Sequence, residues 1–230
     1  MSVWAIVLAC GKDQEIGAGV DVAFLALGSR PVVARSIQTL EQNPLIEGIV
    51  LVVRKERVDS ALHTVRSFGC RKISAIVAGG PARLTNLKNA MERISDDATV
   101  VLVHEATRPF LNDEIITETI KAGKRYGAAV AAVKSAEAVK LVASGSGQKV
   151  AKSLDRNAVW LVQSPQVYKI DVFKKMLKGS GKLLDDDSEL LAKGRQEIHL
   201  VAGSAGNMKI RTPDDLQVAS AILSVARRIP

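Results

Sequence analysis

Three stretches of the chain place charge directly after an apolar run, two of them with glycine, the arrangement from which chemistry on an anion can be built. The first is Leu8-Ala9-Cys10-Gly11-Lys12-Asp13-Gln14-Glu15-Ile16-Gly17. The second is Ala78-Gly79-Gly80-Pro81-Ala82-Arg83, and the third is Val103-His104-Glu105-Ala106-Thr107-Arg108-Pro109. A glycine at such an exit lets backbone amides approach a phosphate, although a glycine loop alone is a weak signal. The formal charge of +8 suits a phosphorylated anion as well as it suits a nucleic acid. Aromatic residues make up only 3% of the chain, too few for the stacking platforms of single-strand binders. The basic residues are also scattered, as in Arg54-Lys55 and Lys174-Lys175, in the manner of solvated helix faces, so no nucleic-acid partner is expected. Cys10 and Cys70 lack metal-ligand spacing and are expected to be buried, reduced thiols. The acid runs Asp185-Asp186-Asp187 and Asp214-Asp215 read as helix starts rather than metal ligands.

Positioning these stretches requires strands that end where they begin. Apolar runs at Val3–Ala9, Gly48–Val53, Lys72–Val77, Thr99–Val103 and Ala128–Val133 alternate with helical patterns at 31–41, 55–67, 84–94 and 113–126. That alternation predicts an α/β fold, a doubly wound, mostly parallel, Rossmann-like sheet. In such sheets the ligand lies at the carboxyl ends of the strands, which directs attention to Ala9–Ala23, Ala78–Arg83 and His104–Pro109. Pro31 is expected at the first position of its helix. The 230 residues suit one domain over 1–230. Ala138–Val142 and Lys149–Leu154, joined by Ser144-Gly145-Ser146-Gly147, predict a protruding β-hairpin arm at about 136–156. An arm so poor in apolar residues is expected to pack on a second copy and make a homodimer. The chain then returns through Trp160–Tyr168, a helix near 171–178, a helix opened by Asp185-Asp186-Asp187, a strand at Glu197–Val201 and a last helix from Thr212. No apolar run is long enough to cross a membrane and no secretory signal opens the chain, so a cytoplasmic address is expected.

Further motifs follow in order: Leu154-Asp155-Arg156 with Trp160, then Gln163-Ser164-Pro165-Gln166, then Gly206-Asn207-Met208-Lys209-Ile210 before Thr212-Pro213-Asp214-Asp215. Together with the three segments above, and with Phe24-Leu25 and Gly28-Ser29-Arg30-Pro31-Val32, they resemble the 2-C-methyl-D-erythritol 4-phosphate cytidylyltransferase family from residue 3 to about 223. Ribitol-phosphate cytidylyltransferases share much of the pattern. The resemblance implies attack of a polyol phosphate on the α-phosphorus of CTP with loss of pyrophosphate, in isoprenoid precursor synthesis, with Mg2+ as cofactor. It places backbone amides of Ala9 and Gly11 against the nucleotide, Gly79, Gly80 and Arg83 on the cytosine side, and Asn86 where the family has a serine. It makes Glu105 the metal ligand, in place of an aspartate, and Arg108, Arg156 and Lys209 the anchors of the substrate phosphate.

The departures from the family pattern concentrate in the first loop. The family's loop arginine falls on Glu15 and its loop lysine on Val22, preceded by Asp21 where proline is expected. Asp13 replaces a glycine, and Ala138 stands where the family has a threonine. A carboxylate about 5 Å from a phosphate costs several kcal/mol at an effective dielectric near 20. Activity is therefore expected to be impaired, with restoration of both cations as its repair. The alternative is a non-catalytic homologue that acts as a ligand-binding, regulatory or assembly partner.

Overall fold

The computed structural model describes residues 2–11, 20–143, 145, 148–178 and 196–226. Glu15 and the rest of the expected catalytic loop from Lys12 to Gly19 lie outside them, as does the helix expected at the Asp185-Asp186-Asp187 run. The central sheet has seven strands: β1 (Ser2–Ala9), β4 (Gly48–Arg54), β5 (Ile73–Gly79), β6 (Ala98–Glu105), β7 (Ala128–Lys134), β10 (Trp160–Lys169) and β11 (His199–Ala202). Their order is β11-β7-β10-β6-β1-β4-β5. Strands β1, β4, β5 and β6 run parallel, and β11 runs parallel to β7. Only β10 is antiparallel to its neighbours β6 and β7. Two short strands, β2 (Ala26–Leu27) and β3 (Arg30–Pro31), pair with each other before the first helix.

The period of two along β1 explains why the sheet needs cover on both faces. Val3, Ala5, Val7 and Ala9 join one apolar cluster with α1 (Val32–Gln42), α2 (Val58–Ser67) and α4 (Asp113–Tyr126). Ile6 and Leu8 join the opposite cluster with α3 (Arg83–Met91) and α5 (Ile170–Leu177). A third, smaller cluster seats the last helix, α6 (Pro213–Ala226), on Val22, Leu27 and Val32 through Ala219 and Leu216. Its entry is a capping box: the Asp215 amide donates to Thr212 Oγ1 at 3.1 Å, and Asp215 Oδ2 accepts from the Arg211 and Thr212 amides. Pro31 differs from expectation by one residue. It stands at the N-cap, with ψ 153°, because its backbone still pairs with Ala26.

The arm is a hairpin of β8 (Val139–Val142) and β9 (Val150–Leu154), paired to each other and not to the central sheet. Leu141, Val142 and Val150 are each about half exposed on it. No helix among the described residues is long and apolar enough to cross a membrane.

Candidate active site

The carboxyl ends of β1, β4, β5 and β6 lie side by side, and the chemistry-bearing residues gather there in two groups. On the β6 side, Glu105 ends its strand and is met by three cations. Lys209 Nζ donates to Oε1 at 2.7 Å, Arg108 Nε donates to Oε2 at 3.0 Å, and Arg83 Nη1 stands 3.6 Å from Oε1. Among the described residues, three positive groups surround this one carboxylate. Burial works against ionisation of Glu105, but the Lys209, Arg83 and Arg108 charges outweigh it and hold the carboxyl down at about 2. The cluster is assembled from distant segments. Arg108 Nη1 also donates to the Asn207 carbonyl at 3.0 Å, and the Ile210 amide donates to the Thr107 carbonyl at 2.9 Å, which brings Lys209 alongside β6.

Beneath the cluster lies a buried relay. A carbonyl can only accept, so His104 Nε2 carries the proton and donates to the Arg108 carbonyl at 3.2 Å. Nδ1 then accepts from the Ser164 hydroxyl at 2.9 Å, and Ser164 Oγ accepts from the Glu105 amide at 3.0 Å. One neutral imidazole thereby fixes the backbone on both sides of the carboxylate and the arginine. Burial and the Arg108 charge push His104 down to about 4, which keeps it neutral near pH 7.

On the β5 side, Asn86 closes on Gly80. Its Oδ1 accepts from the Gly80 amide and its Nδ2 donates to the Gly80 carbonyl, both at 2.8 Å, and Nδ2 also reaches Cys10 Sγ at 2.9 Å. A Cβ on Gly79 would stand 2.7 Å from Val52 Cγ1 and 2.9 Å from Asn86 Oδ1, so only glycine admits this clamp. A Cβ on Gly80 would meet nothing within 4 Å, which leaves open space at that residue. Ala9 and Gly11 flank Cys10 at the exit of β1, Ala9 buried and Gly11 exposed. Burial pushes the Cys10 thiol up to about 11, which removes it as a nucleophile.

Glu105, Arg83, Arg108 and Lys209 are thus brought together, and Arg83 joins the two groups by reaching from the start of α3 to Glu105. Arg156 stands apart, exposed on a single turn after the arm. Val22 is fully buried in the cluster beneath α6, facing Leu27, Val32 and Ile210 rather than the crevice. Its neighbour Asp21 is also buried, 3.6 Å from Arg57 Nε. His104 and Ser164 stood in the sequence only as members of their motifs, with no role given to either, and Arg54, grouped with solvated charges, donates to the Gly11 carbonyl at the exit of β1. The signal for Arg54 was its place, one residue past the apolar run of its strand and level with the exit of β1.

The donor chemistry suits Mg2+ as an ion shared with a ligand. Glu105 is a hard, ionised oxygen donor, but both its oxygens already carry cations, and among the described residues no group of three His, Cys, Asp or Glu could hold a metal. Mg2+ is commonly held by one or two carboxylates together with substrate phosphates, and that mode remains open to Glu105.

The family model described as 2-C-methyl-D-erythritol 4-phosphate cytidylyltransferase matches residues 3–225. A protein of that name from Geobacillus kaustophilus is 30% identical over 227 residues, covering 97% of this chain and 98% of that protein. Another of that name from Dehalococcoides mccartyi is 33% identical over 225 residues, covering 98% and 97%. Among solved structures, 4-diphosphocytidyl-2C-methyl-D-erythritol synthase from Anaerococcus prevotii superposes with a TM-score of 0.82 at 25% identity, covering 97% of this chain and 96% of that one. The cytidylyltransferase from Thermus thermophilus shares the fold with a TM-score of 0.76 at 22% identity, covering 97% and 100%.

Proposed function

The chain belongs to the 2-C-methyl-D-erythritol 4-phosphate cytidylyltransferase family, and on that premise we propose that it transfers the cytidylyl group of CTP to a polyol phosphate at a depressed rate. The observation that carries this reading is the cluster of Arg83, Arg108 and Lys209 on Glu105, three positive groups gathered at the carboxyl end of the sheet. A phosphate monoester brings charge of the opposite sign to that cluster. Bidentate and charge-assisted bonds from Arg108 and Lys209 would fix its oxygens. One of those oxygens attacks the α-phosphorus, the bond from that phosphorus to the bridging oxygen breaks, and pyrophosphate leaves with the electron pair. The reaction needs positioning and charge neutralisation, and no covalent enzyme intermediate. Mg2+, held by Glu105 together with the triphosphate, supplies further neutralisation when bound.

The depressed rate follows from the first loop. Val22 is packed into an apolar cluster, so the position that carries a lysine in the family's pattern offers no charge here, and Glu15 adds a negative one. A lost transition-state charge contact typically costs about 2.7–4 kcal/mol, or roughly two to three decades in rate. The protein should accordingly hold the polyol phosphate better than it holds CTP. We assign the catalytic apparatus to one nucleotidyltransferase-like domain over 1–230, at a cytoplasmic address, acting as a homodimer through the arm. Arg156, at the base of that arm, would travel with it onto the second copy.

Release of pyrophosphate in a coupled assay tests the reading. Release is expected only when CTP, methylerythritol phosphate and Mg2+ are all present, and replacing the polyol phosphate with ribitol phosphate should lower it. Equal or better turnover of ribitol phosphate would move the protein to the related polyol class. Silence with all three present, while both ligands bind, would favour the non-catalytic homologue.

A further inference from the structure

Lys209 reaches Glu105 from the loop after β11, and that loop is held by two buried carboxamides, Gln163 and Asn207. The ladder between β10 and β7 is irregular here: Val162 pairs with Ala132 and Gln166 with Val130, so four residues of β10 advance against two of β7. Gln163 and the Ser164 carbonyl fall in that break and bond to the loop instead. Gln163 Nε2 donates to the Ser204 carbonyl at 2.8 Å, and its Oε1 accepts from the Ser204 amide at 3.4 Å and from Asn207 Nδ2 at 3.3 Å. Asn207 Nδ2 also donates to the Ser164 carbonyl at 2.8 Å. Among the described residues Asn207 Oδ1 has no partner, so this side chain acts through its donated bonds alone. The Asn207 backbone carbonyl takes Arg108 Nη1 at 3.0 Å, and two residues on, Lys209 Nζ meets Glu105 at 2.7 Å. Gln163 is 7% exposed and Asn207 not at all. The fit is close: a Cβ on Gly203 would stand 2.4 Å from Gln163 Oε1 and 3.2 Å from the Ala132 carbonyl.

We propose that Gln163 and Asn207 are positioning residues, which hold Lys209 on Glu105 and so set how tightly the cluster takes a polyol phosphate. The proposal rests on the phosphate reading above and deepens it. An ammonium on a flexible four-carbon stem is directed only as well as the backbone beneath it. Where that backbone is already fixed, binding a phosphate does not have to order it. Gln163 and Asn207 tie the loop to β10, and Arg108 ties the same loop to β6.

Two measurements on the wild type, Gln163→Met, Asn207→Ala and Lys209→Ala test this. Methionine keeps the length of Gln163 and removes its hydrogen bonds. In amide exchange without ligand, the Ile210 amide, bonded to the Thr107 carbonyl at 2.9 Å, is the reporter of the loop. Its protection should fall about tenfold or more in Gln163→Met and Asn207→Ala, with the amides of β1 and β4 unchanged. In calorimetry both variants should bind methylerythritol phosphate about tenfold more weakly and CTP within about twofold of wild type. Added to Lys209→Ala, Gln163→Met should weaken methylerythritol phosphate by less than about twofold more, because the cation it positions is already gone. A merely structural role would instead weaken both ligands alike and add in full to Lys209→Ala. Either of those results, or unchanged Ile210 exchange, would overturn the proposal. If Asn207→Ala does not fold, Gln163→Met decides by itself. A wild type that binds no polyol phosphate would contradict the phosphate reading, and Ile210 exchange would then decide whether the two carboxamides hold the loop of Lys209.

Discussion

Val22 and Glu105 show how a side chain's surroundings decide its chemistry more than its aligned position does. Val22 falls where a cation is expected, yet it is fully buried among Leu27, Val32, Ile210 and Ala219. Val22→Lys would therefore bury an ammonium with no partner instead of rebuilding a phosphate contact. The variant should lose about 3–5 kcal/mol in urea denaturation and gain no pyrophosphate release. A Val22→Lys protein of wild-type stability with raised turnover would show that the segment can turn toward the crevice. Repair of the loop by restoring both cations is therefore no longer expected, and Glu15→Arg is the substitution left to try. That Glu105, Arg108 and Lys209 belong together was legible in the sequence because each lies in a compact motif, and the structure brings the three side chains into contact. The place of Arg54 was not, because a charged pair after an apolar run looks like any solvated turn until the register sets it beside Gly79 and its side chain reaches the Gly11 carbonyl. Arg83 was placed on the cytosine side, and its reach to Glu105 depends on where α3 starts, which no local pattern fixes.

The five parallel-type strands were legible from their apolar runs, and their ends moved by only one or two residues, since a strand buried on both faces has little polar interruption to disguise it. The antiparallel run of β10 was hidden, because direction within a sheet depends on how the chain returns from the arm and not on composition. The arm was visible from its turn residues, and its Leu141, Val142 and Val150 are an apolar surface that stands exposed among the described residues. Deleting Val142–Lys149 should convert a sedimenting dimer into a folded monomer. It should also weaken methylerythritol phosphate binding if Arg156 reaches the second copy, and Arg156→Ala should do the same by about 1.5–3 kcal/mol with the dimer intact. An unchanged dimer after the deletion would put the interface elsewhere.

At the scale of the whole molecule, the buried relay couples the site to acid stability. His104 has its folded value depressed to about 4 from an ordinary 6.5, so the folded state holds fewer protons than the unfolded chain in that window. Its contribution, about 3 kcal/mol, is fully present above pH 6.5 and is lost as the pH falls toward 4. Glu105 acts in the same direction at lower pH, because its carboxyl is held at about 2, and its share fades from about 4.5 downward. Denaturation midpoints should therefore fall steadily between pH 6.5 and 4, and a flat profile there would mean that His104 is already solvated.

We propose that a chain with Arg83, Arg108 and Lys209 gathered on Glu105, and with two of the family's loop cations replaced, still transfers a cytidylyl group. Phosphorus NMR on stoichiometric protein with CTP, methylerythritol phosphate and Mg2+ measures this directly, since a single turnover per site is enough to be seen. A diphosphate diester should appear slowly together with pyrophosphate, and neither should appear when either substrate is withheld or in Lys209→Ala. Unchanged CTP and methylerythritol phosphate resonances, with both ligands demonstrably bound, would contradict it.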